Sequence, residues 1–210
     1  MKPMISAAEG LERLKEGNLR YVAGVHSNHA GATGAIRSKL LDGQNPFAVI
    51  LGCSDSRAPV EMVFDQGLGD LFVIRVAGNI VANSQIASVE FAVEKMGTRL
   101  VVVLGHTFCG AVEATIGEIR KPQKKQSLLL HSIVSRIRPA VEPLLATGPN
   151  GDPDALIKEA VRANVRVAAD GLRHGSEMLE QLTRGNELLV VGAEYCLETG
   201  MVEFFDGVPG

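Results

Sequence analysis

The chain has 210 residues, of which 46% are hydrophobic and 21% are charged, a balance typical of a globular domain with a full core. Its formal net charge of -3 gives no support to nucleic-acid binding, because nucleic-acid-binding proteins usually carry a strongly basic face. No apolar run reaches the roughly 18 residues of a membrane-spanning helix, so we predict neither a membrane segment nor a secretory signal.

The cysteines bear on both compartment and chemistry. Cys53, Cys109 and Cys196 are odd in number and widely spaced, which makes a disulfide framework a poor explanation. In a reducing compartment, cysteines spaced in this way more often serve metal binding or catalysis. We therefore predict a cytoplasmic protein. Cys196 has no His or acidic residue at matching spacing, and we expect it in the core.

The predicted elements begin with an amphipathic helix. Ser6 and Glu9 form a capping box, and Leu11, Leu14 and Val22 follow on one helical stripe. We treat residues 1–45 as a helical arm that precedes the rest of the domain.

Four runs rich in Val, Ile and Leu predict strands that are buried on both faces, as in a parallel sheet. They cover residues 47–51, 70–78, 99–105 and 187–195. Residues 195–205, YCLETGMVEFF, predict two strands joined at Glu198-Thr199-Gly200, which adds an antiparallel edge to the sheet.

Helical patterns lie between these strands. We predict that Ser84 caps a helix ending at Gly97, that helices cover residues 111–119 and 128–145, and that Asp152-Pro153 opens another. Strands and helices therefore alternate, which predicts an α/β fold. The expected architecture is one domain over residues 1–210, whose core (46–210) is a mostly parallel sheet of about four strands with an antiparallel edge strand, flanked by helices.

Metal-binding residues follow two of the predicted strands. Cys53 comes after the first strand, and His106 and Cys109 come after the third. Ligands of open α/β sheets bind beyond the carboxyl ends of the strands, and the tips of neighbouring strands can converge on one ion. Each residue alone is more often structural, but the joint pattern favours a metal. Two Cys and one His form a known catalytic zinc set, and thiolates select against Mg²⁺ and Ca²⁺.

A carboxylate and a guanidinium follow Cys53 at alternate positions. If residues 53–57 are extended, Cys53, Asp55 and Arg57 project to the same side. Asp55 would then lie close enough to ligate the metal, and Arg57 close enough to hold the acid ionised.

Two motifs make the sequence similar to a known family. CSDSR at residues 53–57 is followed by HTFCG at residues 106–110, and FDQGLGDLFVIRVAGN at residues 64–79 lies between them. Together they resemble the β-class carbonic anhydrases, and the resemblance runs from the N-terminal helix to the final strands.

The resemblance implies one Zn²⁺ per chain, bound by Cys53, His106 and Cys109, with Asp55 either a fourth ligand or paired with Arg57. It implies reversible hydration of carbon dioxide to bicarbonate and a proton by a zinc-bound hydroxide. The Asp55–Arg57 pair is expected to gate the fourth position.

Further expectations come from the resemblance alone. Gln66 matches a polar residue of the substrate pocket, and the backbone N–H of Gly110 matches a group that contacts bound anions. The family also implies a homodimer or homotetramer with the first helix on the neighbouring subunit. Ile50 stands where some bacterial members have a Trp linked to a regulatory bicarbonate site. We therefore do not expect that site, although Arg75 is present.

Three alternatives stay open at this point. The same zinc site could act on carbonyl sulfide or carbon disulfide. A thiol hydrolase could use Cys53 or Cys109 activated by His106. A structural zinc could be held permanently by Cys53, Asp55, His106 and Cys109. The other histidines are expected to be surface or capping residues rather than proton shuttles: His26, His29, His131 and His174.

Overall fold

The structure is a computed structural model that describes residues 5–25, 34–122, 127–147 and 152–209. Its centre is a five-stranded sheet with the order β2-β1-β3-β4-β5. The strands are β1 (Ala48–Gly52), β2 (Leu71–Arg75), β3 (Leu100–His106), β4 (Leu189–Tyr195) and β5 (Val202–Asp206). All neighbours pair in parallel except β4 and β5, which pair antiparallel. The predicted α/β fold with an antiparallel edge strand is confirmed.

Helices cover both faces of this sheet. They are α1 (Ala7–Val22), α2 (Gly34–Lys39), α3 (Val60–Val63), α4 (Asn83–Met96), α5 (Gly110–Arg120), α6 (Leu128–Thr147), α7 (Pro153–Arg173) and α8 (Glu177–Arg184). A short 3-10 turn, Ala77–Asn79, follows β2. Among the described helices, none is both long and apolar enough to cross a bilayer.

The prediction that Ser84 caps α4 is wrong. The helix begins one residue earlier, with Ala82 in an extended conformation at the N-cap position and no side-chain cap bond. Ser84 lies in the first turn, where its hydroxyl donates to Gln85. The other end is as predicted, because Gly97 has a φ of 70° and closes the helix in the left-handed conformation.

The strands are buried because they lie between two apolar layers. Side chains alternate along each strand, so Ile50 faces α1 and α3, while Val49 and Leu51 face α4, α7 and α8. A third apolar cluster lies beyond the carboxyl ends of β1 and β3. It includes Cys53 and Cys109 with residues of α5, α6 and α7, and it encloses the candidate site.

Helix α1 is attached to its own chain by a buried polar residue. Asn18 donates to the carbonyl oxygens of Val63 and Gly200 and accepts from the N–H of Val202. These bonds join α1 to α3 and to the start of β5. The inner stripe of α1 therefore belongs to the chain's own core, while the proposed contact of its outer side with a neighbouring subunit stays a prediction.

Candidate metal centre

The site forms where β1 and β3 end side by side. The two strands pair in parallel, with Gly52 opposite Leu104. Cys53 directly follows β1, and His106 is the last residue of β3. After a short turn, Cys109 is the N-cap residue of α5. The parallel register thus brings residues that are far apart in the sequence to one edge of the sheet.

The three side chains meet at one point. The ligand atoms of Cys53, His106 and Cys109 all lie within 4.8 Å of one another. All three residues are buried, with exposed fractions of 7%, 1% and 1%. Two sulfurs and one imidazole nitrogen are a donor set that suits zinc and other soft or borderline metals. The geometric prediction made for these three residues agrees with the structure.

The histidine is oriented for metal binding. Its Nδ1 atom lies 2.9 Å from the carbonyl oxygen of Thr107, and a carbonyl only accepts, so Nδ1 carries the proton and Nε2 has a free lone pair. Nε2 is buried and has no hydrogen-bond partner among the residues that the structure describes. A buried polar atom without a partner is unfavourable, and a metal ion between Nε2 and the sulfurs would remove that cost. These residues therefore fit a zinc ion.

The two thiols also favour a cation. The hydrogen bond from Cys109 lowers the pKa of Cys53 well below its ordinary value, although burial opposes this effect. The same hydrogen bond and burial raise the pKa of Cys109. One thiolate therefore makes the second more costly. A divalent cation between the sulfurs would stabilise both charges.

Asp55 and Arg57 form a forked ion pair beside the three ligands. Arg57 donates from Nε to Oδ1 and from Nη2 to Oδ2 of Asp55, over 2.9 and 2.7 Å, and its Nη2 also donates to the carbonyl of Phe108. The Arg57 guanidinium lowers the pKa of Asp55, so the carboxylate stays ionised. Oδ2 of Asp55 lies 3.8 Å from Nε2 of His106. In this structure Asp55 is paired with Arg57.

Sequence reasoning missed the residue that holds this loop in place. Arg75, the last residue of β2, donates from Nε to the carbonyl of Cys53 and from Nη2 to the carbonyl of Asp55. A sequence signal existed, because an Arg ends a strand that lies next to the one before Cys53.

Gln66 and Gly110 lie in different settings. Gln66 is buried and donates to the carbonyl of Phe64, close to Gly17 of α1. Gly110 is exposed and begins α5, and a Cβ built on it would meet no atom of another described segment within 4 Å. Their predicted roles in binding substrate stay predictions.

The remaining Cys and His predictions have mixed outcomes. Cys196 is half-buried, so its expected core position is wrong, because it lies in the β4–β5 connection, where its N–H donates to Met201. His131 and His174 are exposed, as expected. His26 and His29 lie outside the described residues. Cys53, Cys109 and Cys196 are all free thiols.

A mostly parallel sheet with two thiols and an imidazole together at its carboxyl edge defines an α/β protein with a site that could hold a metal ion. The family model described as "Carbonic anhydrase" matches residues 48–202. "Carbonic anhydrase 2" of Mycobacterium tuberculosis is 36% identical over 98% of this chain and 96% of its own length. The β-carbonic anhydrase CafA of Aspergillus fumigatus superposes with a TM-score of 0.73 at 26% identity, covering 97% of this chain and 92% of its own. A structure of a tetrameric β-carbonic anhydrase from Sordaria macrospora gives a TM-score of 0.71 at 21% identity, with coverages of 80% and 85%.

The chain belongs to the carbonic anhydrase family, in its β class.

Proposed function

We propose that this enzyme catalyses the reversible hydration of carbon dioxide to bicarbonate and a proton, with one Zn²⁺ per chain. The observation that carries the proposal is the buried Nε2 of His106, which no described residue hydrogen-bonds and which lies within 4.8 Å of two sulfurs. When bound, zinc would supply the Lewis acidity that makes water a nucleophile toward carbon dioxide. Cys53, His106 and Cys109 would hold it.

Asp55 is the group proposed to orient the attacking water. Its carboxylate is kept ionised by Arg57, and an ionised carboxylate accepts hydrogen bonds without donating any. Oδ2 lies near His106, so it can accept a hydrogen bond from a water at the metal position. Arg57 offers Asp55 a partner other than the metal, which supports the proposed gate.

Gly110 is proposed to receive the anionic product. It is the first residue of α5, and the N-terminus of a helix presents free backbone N–H groups that favour a negative charge. The open space around its Cα would allow bicarbonate to approach the backbone. Gln66 is proposed as a pocket residue only from the family resemblance.

The enzyme is further proposed to be a homo-oligomer. Exposed apolar side chains lie on the outer side of α1 and on α3, which contact each other. They are Leu19, Val22 and Met62, with exposed fractions of 57%, 41% and 61%. A second copy of the chain that covered them would remove apolar surface from water. The Sordaria macrospora relative is described as tetrameric.

A cytoplasmic location is also proposed, because the chain has three free thiols and a reducing compartment keeps thiols free.

The test is zinc content together with stopped-flow hydration of carbon dioxide at pH 7 and pH 8.5. We expect about one zinc per chain and a faster rate at pH 8.5, because two thiolates make zinc a weaker Lewis acid than three imidazoles do. Bound zinc without hydration at either pH would contradict catalysis and favour a structural metal. Metal-free activity that iodoacetamide blocks would favour a thiol hydrolase. Faster turnover of carbonyl sulfide than of carbon dioxide would change the substrate.

A further inference from the structure

The Ala77–Asn79 turn places a backbone donor on one of the metal-binding sulfurs. The N–H of Gly78 donates to Sγ of Cys53 over 3.3 Å. Gly78 has a φ of 69° and a ψ of 22°, a left-handed conformation that favours glycine. A Cβ at this position would lie 2.7 Å from Cδ1 of Ile137 and 3.1 Å from Cβ of Ala111. The donor is therefore aimed by a turn that only glycine fits well.

A buried side chain on α7 holds this turn from the opposite side. Nδ2 of Asn164 donates to the carbonyl of Gly78 over 2.8 Å. Asn164 has an exposed fraction of 2% and lies on the otherwise apolar inner face of α7, next to Val161 and Val165. Burying an amide in an apolar layer is unfavourable unless it forms hydrogen bonds. The hydrogen bond that Asn164 donates goes to the carbonyl of Gly78, the residue whose own N–H donates to Sγ of Cys53.

The two bonds act on the same residue and are coupled through it. Fixing the carbonyl of Gly78 fixes the position of the residue that also carries the donor. A hydrogen bond to a thiolate withdraws negative charge from sulfur and holds the sulfur in one direction. Groups that orient the metal ligands in this way commonly change metal affinity by about 10- to 100-fold.

We infer that Asn164 is a positioning residue for the metal centre, acting through the Gly78 N–H on the Cys53 thiolate. The inference rests on the proposed function, because it assumes that Cys53 binds zinc. It assigns a role in zinc affinity and in the electronic state of the thiolate to a helix that supplies none of the three metal-binding side chains.

The experiment compares Asn164→Ala with Leu172→Ala, a fully buried residue of the same helix that packs in the layer beneath the sheet. Zinc affinity is measured by competition with a chromogenic chelator. The thiolate-to-metal absorption band is measured after Co²⁺ replaces zinc. We expect Asn164→Ala to bind zinc at least about tenfold more weakly. The band should move to longer wavelength, because a thiolate that loses a hydrogen bond gives up an electron more easily. Leu172→Ala should change neither quantity.

Wild-type affinity and band position in Asn164→Ala would overturn the inference, and so would equal changes in Leu172→Ala. If Asn164→Ala does not fold, the similarly sized Asn164→Leu, which cannot donate to the Gly78 carbonyl, replaces it and is expected to change both quantities in the same direction. Amide hydrogen exchange of residues 76–80 separates this inference from the proposed function. A wild-type protein without zinc would end the proposed function. Faster exchange in the Asn164 variant than in Leu172→Ala would still support the coupling of Asn164 to Gly78, and equal exchange would refute it.

Discussion

Asp55 has its two carboxylate oxygens bonded to Arg57, and the same guanidinium reaches the carbonyl of Phe108. Arg57 therefore connects the loop after β1 to the loop after β3, beside the candidate metal ligands. The pair is partly exposed, so its contribution to the free energy of folding is small. Its proposed importance lies in catalysis, where the position and charge of one carboxylate decide how water is oriented.

We expect Asp55→Asn and Arg57→Ala to retain zinc and to lose about 100-fold or more in kcat/KM, because a group that orients or accepts a proton typically contributes about 10²- to 10⁴-fold. Arg57→Lys should be intermediate, because it keeps the charge and loses the fork. Zinc analysis and stopped-flow hydration check these values, with Lys95→Ala, a surface residue paired with Glu94, as the control. Wild-type rates in Asp55→Asn would refute the role of the carboxylate.

Since Arg57 lowers the pKa of Asp55, a rate increase between pH 7 and pH 8.5 cannot come from titration of Asp55.

Glu194 of β4 has a buried carboxyl group. It lies opposite Gly105, next to His106 at the end of β3. Its Oε1 atom has no hydrogen-bond partner within the described part of the chain, and Nη1 of Arg162 is 3.6 Å from Oε2. Burial raises its pKa, although Arg162 and Lys158 oppose the shift. The folded state therefore binds this proton more tightly than the unfolded state, so stability is highest below the unfolded pKa and falls as the pH rises through the folded value.

We expect Glu194→Gln to raise Tm more at pH 7 than at pH 4, because ionisation of the buried carboxyl with rising pH costs the wild type stability. The amide has nearly the same shape and no charge to desolvate. Thermal unfolding at both pH values measures the difference, and Glu203→Gln on the exposed side of Arg162 is the matched control. An equal gain in Tm at both pH values would show that burial of charge is not the cause.

At the scale of elements, one side chain joins α1 to the rest of the chain. The side-chain amide of Asn18 donates to the carbonyls of Val63 in α3 and Gly200 in the β4–β5 connection, and it accepts from the N–H of Val202 in β5. Its truncation leaves these groups without that partner, and each unsatisfied buried group costs about 1–3 kcal/mol.

Asn18→Ala should therefore lower the free energy of unfolding by about 3 kcal/mol. Urea unfolding measures this, with Glu16→Ala on the exposed side of the same helix expected to stay within about 0.5 kcal/mol of wild type. A loss below about 1 kcal/mol for Asn18→Ala would mean that water replaces the amide without penalty.

The elements also show what the sequence could predict. The strands could be predicted because burial on both faces requires long runs of Val, Ile and Leu, and Cys53, His106 and Cys109 could be proposed as metal ligands because they follow two such runs. Helices α2, α3 and α8 have six, four and eight residues, too few for a periodic pattern to stand out. Arg75, Gly78 and Asn164 were missed because their roles depend on contacts between distant segments, which no local pattern encodes.

For the whole molecule, metal and fold are expected to be linked. An ion that binds the folded chain and not the unfolded chain stabilises it, by about 4 kcal/mol at a thousandfold excess over Kd. For a chain of this length that corresponds to about 10 °C in Tm. We expect a strong chelator to lower Tm by this amount and added Zn²⁺ to restore it, as followed by calorimetry. Cys109→Ser should respond to neither, and an unchanged Tm in the wild type would contradict a tightly bound metal.

The proposed oligomer is tested by changing its exposed apolar surface. Leu19→Glu combined with Met62→Glu places charges on the outer side of α1 and α3 and should shift the sedimentation coefficient toward that of a monomer. Val167→Glu, an exposed apolar position on α7 across the sheet, is the control and should keep the wild-type mass. If Val167→Glu alone caused dissociation, the interface would have to lie on the α7 face of the sheet instead of on α1 and α3.

The order of strands has a consequence for how the protein matures. β1 and β3 are neighbours in the sheet, yet β2 and α4 separate them along the chain. During synthesis, a ribosome releases Cys53 before His106 and Cys109, so the proposed zinc ion could not find all three of its ligands until the crossover is complete. Metal loading is therefore expected to be a late event, and a chain that stalls before β3 forms would present Cys53 without the other two candidate ligands.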